Sequence, residues 1–306
     1  MVNAIEIQNV HQKFRVGFWM KPVEILGGIN LSVPEGSLCG FLGENGAGKT
    51  TLINLIVGLT KPTQGRIRIF GNDAISKEAK IRVGYLPERP YFHEHLTGED
   101  FIKYFGALSG LKRSDQSSRC EKLLTMVGLG TARKVELGNY SKGMLQRIGI
   151  AQALVHDPDL LIFDEPMSGL DPVGRREIRE LMVSLASSGK TVFFSTHVIS
   201  DVEAICDRVA IIKKGQLIKM GTLGQLLNDY TERFEILFES QTGKPNQELA
   251  LESVQKLPIG FKGIVLGQEK LKEALSRLIA SNAKILSVTS NRSSLESYFM
   301  GGGNSA

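Results

Sequence analysis

The residues with the clearest chemistry in this 306-residue sequence form a glycine-rich stretch, Gly-Glu-Asn-Gly-Ala-Gly-Lys-Thr-Thr, at positions 43–51. It fits the pattern G-x-x-x-x-G-K-[ST], with a predicted buried strand before it (37–42) and a predicted helix after it (49–57). In that context the loop's backbone N–H groups point at phosphate oxygens, and the helix N-terminus adds partial positive charge. Lys49 can reach the β- and γ-phosphates, and the Thr50 hydroxyl can ligate Mg²⁺. The sequence therefore predicts a nucleoside triphosphate site.

Two adjacent carboxylates, Asp164 and Glu165, follow four apolar residues at 160–163 that predict a short, fully buried strand. Ligands bind at the C-terminal ends of the strands in parallel α/β sheets. Because neighbouring residues on a strand point in opposite directions, the pair can divide the work. Asp164 would hold Mg²⁺, directly or through water, and Glu165 would polarise the water that attacks the γ-phosphate.

Two further contacts to phosphate are predicted from the ends of other elements. His197 lies just past a predicted strand at 191–195, at the same sheet edge as the carboxylates, so we expect it to contact the γ-phosphate. Ser141 stands where the N-cap of a helix running to about residue 155 should be. Its hydroxyl and the bare backbone N–H of Gly143 would form a second anion site at a helix N-terminus.

An aromatic segment upstream of the glycine-rich loop offers a ring that can stack on an adenine face. It runs through residues 14–22 and contains the only tryptophan in the chain. Phe14 is the preferred stacking residue, with Phe18 and Trp19 as alternatives. Packing of Phe14 within the sheet is an equally good explanation of its position.

The elements that must position these groups can be read from periodicity and turn residues. Alternating or continuous apolar runs predict strands at 4–10, 23–33, 64–70 and 81–86, and a hairpin over 208–220 that turns at residues 214–215. Helical spacing predicts an insert over about 90–156. Asp171 is predicted to cap a helix that has Pro172 at its first position. The pattern favours an α/β core interrupted by helices.

Composition is that of a soluble globular protein, with 42% hydrophobic and 23% charged residues and a net charge of +5. No apolar run approaches the roughly 18 residues needed to span a bilayer, and no signal peptide is evident at the first residues. The three cysteines are scattered, which favours reduced structural thiols. These features predict a cytoplasmic protein.

The motif order resembles that of the ATP-binding-cassette ATPase family over about residues 4–222. The order is phosphate loop, helical insert, Ser-x-Gly helix start, Asp-Glu pair, Ser-Gly-Leu-Asp loop at 168–171, and trailing histidine. The resemblance implies a P-loop NTPase core whose two subunits sandwich two ATP molecules. It assigns Asp164 to the metal, Glu165 as the catalytic base and His197 as the switch histidine. By motif, the resemblance implies phosphate and Mg²⁺ binding by Gly43, Asn45, Gly46, Gly48, Lys49, Thr50 and Thr51. Ala47 within the loop and Phe14 complete the predicted nucleotide-binding set.

Two departures from the family pattern stand out. The family's signature L-S-G-G-Q is replaced here by Tyr-Ser-Lys-Gly-Met at residues 140–144. Ser141 and Gly143 are kept as implied contacts to the opposite subunit's ATP. Lys142 takes the place of the first glycine. The family's glutamine after the Gly-Tyr-x-Pro strand is Glu88, which can join Thr50 and Asp164 around Mg²⁺. Asp171 is implied to lie in the loop that crosses the dimer interface.

The expected architecture has an ATPase domain at 1–222 with an N-terminal antiparallel β region and a helical subdomain at about 90–156. A small α+β accessory domain follows at 223–300, and 301–306 is expected to be disordered. Helical spacing and alternation predict a strand near 234–238, a helix near 271–279, a strand at 284–289 and a last short helix near 295–299. We expect this domain to stabilise the dimer or regulate it.

The sequence Gly-Tyr-Leu-Pro-Glu at residues 84–88 is similar to the matching segment of exporter ATPases of the ABC-2 type. Those ATPases pair with separately encoded membrane subunits. The expected function is ATP hydrolysis that drives an integral membrane permease, as a homodimer or a heterodimer with a paralogue. The protein would lie on the inner face of the cell membrane, bound through the permease, with the insert near 88–110 passing on the motion. No nucleic-acid partner is expected.

Other classes of function fit less well. A soluble cassette ATPase acting on DNA or ribosomes usually has two cassettes in one chain or a long coiled coil inside the cassette. This sequence has one phosphate loop, and no heptad run fits between Lys49 and Ser141. A nucleotide sensor without hydrolysis is opposed by Glu165, and a GTPase by the lack of an N-K-x-D motif.

Overall fold

The computed structural model describes residues 2–17, 19–228, 233–239, 251–291, 295 and 298. The strands are β1 Asn3–Val16, β2 Lys21–Pro34, β3 Leu38–Leu42, β4 Gln64–Ile69, β5 Asn72–Asp73, β6 Val83–Leu86, β7 Leu160–Phe163, β8 Thr191–Thr196, β9 Arg208–Lys213, β10 Gln216–Thr222, β11 Arg233–Glu239, β12 Ser253–Leu257, β13 Gly260–Leu266 and β14 Lys284–Asn291. The helices are α1 Lys49–Ile56, α2 Lys77–Lys80, α3 Gly98–Leu108, α4 Arg113–Met126, α5 Lys142–Ala153, α6 Pro172–Ser187, α7 Ile199–Ile205, α8 Leu223–Asn228 and α9 Gln268–Ala280.

The chain divides into two compact units, Met1–Gly221 and Thr222–Ala306. In the first unit, β2, β1, β4 and β5 form an antiparallel sheet in that order. A second sheet has the order β10-β9-β3-β8-β7-β6, and its β9, β3, β8, β7 and β6 run parallel. The α/β core with an antiparallel β region is confirmed.

The register of the parallel sheet brings the predicted chemistry to one edge. Leu42 at the end of β3 pairs with Thr196 on β8, and Phe163 at the end of β7 pairs with Phe194. The phosphate loop, the carboxylate pair and His197 therefore begin side by side. These strands are buried along their whole length, which explains their continuous apolar sequences.

One apolar core joins both sheets of the first unit to α1. It contains Ile5, Leu26 and Ile67 from the antiparallel sheet, Ile53 from α1, and Phe41 from the parallel sheet. The helix that follows the phosphate loop is thus clamped by packing on several sides. Packing of α1 therefore fixes the C-terminal end of the phosphate loop, where the helix begins.

The helical insert is shorter than its predicted span. Residues 87–97 have no helix, and α3 begins at Gly98, where the Thr97 side chain accepts the Asp100 N–H. Leu108, predicted in the apolar stripe, is 64% exposed, whereas Phe101 is fully buried. The strand expected from Ile81 begins at Val83 instead, because Ile81 ends α2 with its N–H bonded to Lys77 O.

The second unit has an antiparallel sheet of order β12-β13-β11-β14. Helix α9 contributes Ala274 and Leu278 to a small core with Phe234, Ile236 and Phe261. The sequence did not reveal β12 and β13. The predicted last helix falls mostly outside the described residues, and so does the 301–306 tail. Among the described residues, no helix has the length and apolar character needed to cross a bilayer.

Candidate active site

A cavity of about 550 Å³ opens beside the phosphate loop. Its walls bring together residues that are far apart in the sequence, from the antiparallel sheet, the loop, α1 and the ends of β6, β7 and β8. The lining residues are Phe14, Ile25, Asn45, Gly46, Gly48, Lys49, Thr50, Thr51, Glu88, Glu165, Ser168 and His197.

The phosphate loop depends on glycine at two positions. Gly46 and Gly48 have φ angles of +79° and +103°, which side-chain-bearing residues rarely adopt. A Cβ at Gly48 would also meet the Leu26 side chain at 2.8 Å. The loop is braced from behind by the β9–β10 hairpin, since Gly215 N–H donates to Ala47 O at 3.0 Å.

Two predicted nucleotide-binding residues, Gly43 and Ala47, do not line the cavity. The Gly43 N–H donates to Thr196 O at 3.1 Å, and the Ala47 N–H donates to Glu44 O at 3.2 Å. Both residues are buried. These two residues therefore shape the loop through backbone hydrogen bonds and do not form part of the cavity wall.

Lys49 is only 6% exposed, and its ammonium group is held at the base of the cavity. Nζ donates to the carbonyl oxygens of Gly43 at 2.7 Å and Glu44 at 3.2 Å. It also lies 3.1 Å from Glu165 Oε1, as an ion pair whose geometry is not that of a hydrogen bond. The phosphate-binding cation and the proposed base thus meet directly.

The side chains of Asp164 and Glu165 occupy different places because the backbone changes conformation after β7, not because strand residues alternate. Strand β7 ends at Phe163, so the alternation expected for Asp164 and Glu165 does not apply. Glu165 has φ +50°, in the left-handed region, and its side chain lines the cavity. Asp164 is fully buried and does not line it.

Ser195 is a site residue that sequence reasoning missed. Its buried hydroxyl donates to Asp164 Oδ1 at 2.5 Å and accepts the Glu165 N–H at 2.9 Å. The only sequence signal was its place two residues before His197 at the end of a buried strand. One hydroxyl thus positions both acidic residues.

His197 reaches the cavity as predicted from the end of its strand. Its Nδ1 lies 3.0 Å from Glu165 Oε2, and its side chain is 43% exposed. Glu165 therefore has a cation on one oxygen and an imidazole on the other. This arrangement orients the carboxylate and leaves the ring accessible from the cavity.

Three predicted magnesium ligands, Thr50, Asp164 and Glu88, fit a site for a hard cation. Asp164 Oδ2 is buried without a hydrogen-bond partner among the described residues, which suits an oxygen that ligates a metal. Burial raises the pKa of Asp164, and the Glu88 charge adds to the rise. Two hydroxyls oppose it: that of Ser195, which donates to Oδ1, and that of Thr50, which is nearby but outside hydrogen-bond geometry. No group of three or more His, Cys, Asp or Glu forms a metal cluster in the described part of the chain. Mg²⁺ needs few protein ligands when phosphates and water complete its shell.

Of the aromatic candidates that the structure describes, Phe14 lies in the cavity wall. Phe14 lines the cavity together with Ile25. Trp19 does not line it and is 81% exposed. Phe18, the other alternative, lies outside the described residues.

The signature residues lie outside this cavity. Ser141 caps α5, accepting the Met144 N–H at 3.3 Å, and Lys142 extends over the backbone of Gly169. Asp171 caps α6 by accepting the Gly174 N–H at 2.9 Å. None of Ser141, Lys142, Gly143 or Asp171 lines the cavity of its own chain.

Comparisons with known proteins place this geometry in context. The profile of the ABC transporter family matches residues 26–168. An ABC transporter ATP-binding protein of Synechocystis sp. is 41% identical over 306 residues, which cover 97% of this chain and 84% of that protein. The bacitracin transport ATP-binding protein BcrA of Bacillus licheniformis is 36% identical over 291 residues, covering 90% of this chain and 92% of BcrA. A solved dimeric ATP-binding cassette bound to ADP and Pi has a TM-score of 0.65 at 24% identity, covering 72% of this chain and 98% of that chain, and it supports the fold.

Proposed function

This chain belongs to the ABC transporter family as an ATP-binding subunit with ATPase activity, and from that premise we propose which of its residues bind and hydrolyse ATP and what hydrolysis drives. The observation that carries the proposal is the convergence of Lys49, Glu165 and His197 on one cavity. These three groups supply a phosphate-binding cation, a base and a hydrogen-bonding ring.

Phosphate binding is assigned to the loop and to Lys49. Gly46 and Gly48 line the cavity where α1 begins, so the loop's backbone N–H groups can bind phosphate and the α1 N-terminus adds its dipole. A phosphate entering the cavity competes with Glu165 for the Lys49 ammonium. That exchange would free the Glu165 carboxylate for catalysis.

Hydrolysis is assigned to Glu165, with His197 as its positioning partner. A carboxylate oriented at one oxygen by His197 can accept a hydrogen bond from water with the other and polarise it for attack. The exposed face of the ring can contact the γ-phosphate. Thr50, Asp164 and Glu88 would hold Mg²⁺, which neutralises phosphate charge when bound.

The signature residues support a dimer in which each ATP lies between two subunits. Ser141, Lys142 and Gly143 lie outside their own cavity, while Ser141 and Lys142 are exposed at the N-terminal end of α5. A helix N-terminus with a lysine attracts an anion supplied by another subunit. We assign Asp171 to the same interface, and the partner is a second copy or a paralogue.

The work driven by this cycle is transport through a separately encoded membrane permease, with export as the direction. BcrA, which shares 36% identity, is a bacitracin transport protein. The rival function on DNA or ribosomes gains no support, since α3 and α4 have only 11 and 14 residues, too short for a long coiled coil.

The test is ATP hydrolysis by the purified chain and by Glu165→Gln, with size-exclusion chromatography of both with and without Mg-ATP. Loss of the base should lower turnover by at least about 100-fold and trap an ATP-bound dimer. Glu180→Gln, on the exposed face of α6, is the matched control. A Glu165→Gln protein that hydrolyses ATP at the wild-type rate would refute the assignment of Glu165.

A further inference from the structure

One buried carboxylate outside the nucleotide cavity is held by two arginines. Asp201, on α7, is only 1% exposed. Its Oδ2 accepts a hydrogen bond from Arg175 Nη2 at 2.5 Å, and its Oδ1 accepts one from Arg179 Nη1 at 3.1 Å. Both arginines lie on α6, and their side chains are 28% and 27% exposed. These three residues, the arginine–aspartate cluster, join two helices that are separated in the sequence.

Each of the two helices follows a loop with an assigned role. Helix α7 begins two residues after His197, whose Nδ1 lies 3.0 Å from Glu165 Oε2. Helix α6 begins directly after its cap, Asp171. Asp201 is four residues after His197, and Arg175 is four residues after Asp171. The cluster therefore lies about one helical turn from each of these loops.

Contacts with other elements fix α7, which is only seven residues long. One local bond, from the Val198 N–H to Thr196 Oγ1 at 3.1 Å, holds the turn after His197. Among the described residues, no side chain caps the helix at Val198. Val202 is fully buried and packs so closely on β3 that a Cβ at Gly40 would meet its methyl groups at 3.0 Å. The arginine–aspartate cluster adds the contact to α6, so two different neighbours hold α7.

Stability alone is a poor explanation for this cluster. Removing a carboxylate from water costs free energy that its ion pairs roughly offset, so buried ion pairs often add little net stability. Their geometry is more restrictive than that of apolar contacts, because hydrogen bonds between guanidinium and carboxylate groups depend on distance and angle. The cluster is therefore suited to setting the position of α7 against α6.

We propose that Asp201 is a positioning residue for ATP hydrolysis that acts through His197. The two arginines hold Asp201, Asp201 fixes the start of α7, and the start of α7 places His197 against Glu165. No member of the cluster lines the nucleotide cavity, so its effect on ATP is indirect. Because α6 follows Asp171, the same cluster connects His197 with the loop assigned to the dimer interface. The inference rests on the proposed function, since it requires His197 to orient the base.

The experiment is a double-mutant cycle in the full chain between Asp201→Asn and His197→Ala, with ATPase turnover and ATP affinity measured for each variant. Asp201→Asn should lower kcat roughly ten-fold or more, because a displaced group near the reacting atoms is costly to the rate. The Kd for ATP should stay within about two-fold of wild type, since the cavity wall is unchanged. In the His197→Ala background, Asp201→Asn should change kcat by less than about two-fold, because the residue through which it acts is gone.

Thermal unfolding separates positioning from a purely structural effect. Loss of the ion pairs should lower the Tm equally in both backgrounds, whereas kcat should fall only where His197 is present. Arg176→Gln is the matched control, because Arg176 lies on the same helix but pairs with Glu180 at the surface; its kcat should equal that of wild type. If Asp201→Asn does not fold, Arg179→Gln removes the longer of the two contacts and enters the same cycle.

Two results would overturn the proposal alone. One is an equal fall in kcat from Asp201→Asn with and without His197, which would mean that Asp201 acts by another route. The other is a wild-type kcat in Asp201→Asn while His197→Ala is impaired. A wild-type kcat in His197→Ala would instead refute the role of His197 in the proposed function, and this inference with it. The failure of the proposed function is thus distinguished from the failure of the Asp201 assignment.

Discussion

Ser195 Oγ, on β8, lies 2.5 Å from Oδ1 of Asp164, which directly follows β7, and both residues are fully buried. The same oxygen accepts the backbone N–H of Glu165 at 2.9 Å. A single hydroxyl therefore fixes the side chain of the metal-side carboxylate and the backbone of the base. The two acidic residues are positioned as one unit.

Ser195→Ala should reduce ATP turnover by about ten-fold or more and lower the free energy of unfolding by roughly 1–3 kcal/mol, because a buried acceptor and a buried N–H lose their partner. The Mg²⁺ concentration needed for half-maximal activity should also rise, since Asp164 is no longer oriented. Titration of ATPase activity with Mg²⁺ measures this. Ser184→Ala, on the exposed side of α6, is the control; a fall in stability alone would limit Ser195 to a structural role.

Phe14→Ala should weaken ATP binding by roughly two- to ten-fold, because the cavity loses an aromatic wall that can stack on adenine. Phe14→Tyr should keep most of the affinity. Trp19→Ala should leave ATP affinity unchanged, since Trp19 does not line the cavity. Calorimetric titration with ATP distinguishes the three, and a large loss in Trp19→Ala would reassign the stacking residue.

Ser141→Asp should leave ATP affinity of the single chain unchanged but abolish hydrolysis that depends on the dimer. Aspartate can still accept the Met144 N–H and cap α5, while its charge repels the phosphate of the opposite subunit's ATP. ATP titration and turnover at increasing protein concentration separate the two effects. Ser76→Asp makes the same change at the N-cap of α2, where it should have no effect on turnover.

Asp164→Asn should stabilise the metal-free protein near neutral pH. Burial raises the pKa of Asp164 above its ordinary value of 3.8 in the folded state, so the native protein binds this proton more tightly than the unfolded chain does. Stability from this group is therefore present at acidic pH and is lost as pH rises through the folded pKa. Asparagine keeps an oxygen for Ser195 and never ionises.

The gain in the free energy of unfolding for Asp164→Asn should grow as pH rises above 3.8 and then level off. Urea denaturation over a pH series without Mg²⁺ measures it. Asp115→Asn, which removes an exposed carboxylate on α4, is the control variant. A gain that is independent of pH would contradict the linkage to the Asp164 proton.

The sequence alone predicted the features whose conformation depends on neighbouring residues. A glycine-rich turn before a buried helix, an N-cap serine, and an aspartate followed by proline each define their own backbone, so the phosphate loop, Ser141 and Asp171 could be recognised from neighbouring residues. Long apolar runs also identified β3, β7 and β8, and the resemblance of the motif order to the cassette ATPases is confirmed by the family comparisons.

Tertiary structure decided everything that depends on register and on contacts between distant segments. The pairing of β7 with β8 puts Ser195 beside Asp164, and no local pattern encodes that distance. Glu165 takes a left-handed conformation that strand alternation did not anticipate. Packing of the antiparallel sheet made Phe14, not Trp19, a cavity wall. Sequence specifies local conformation, whereas which residues share a cavity depends on how the sheets pair and pack.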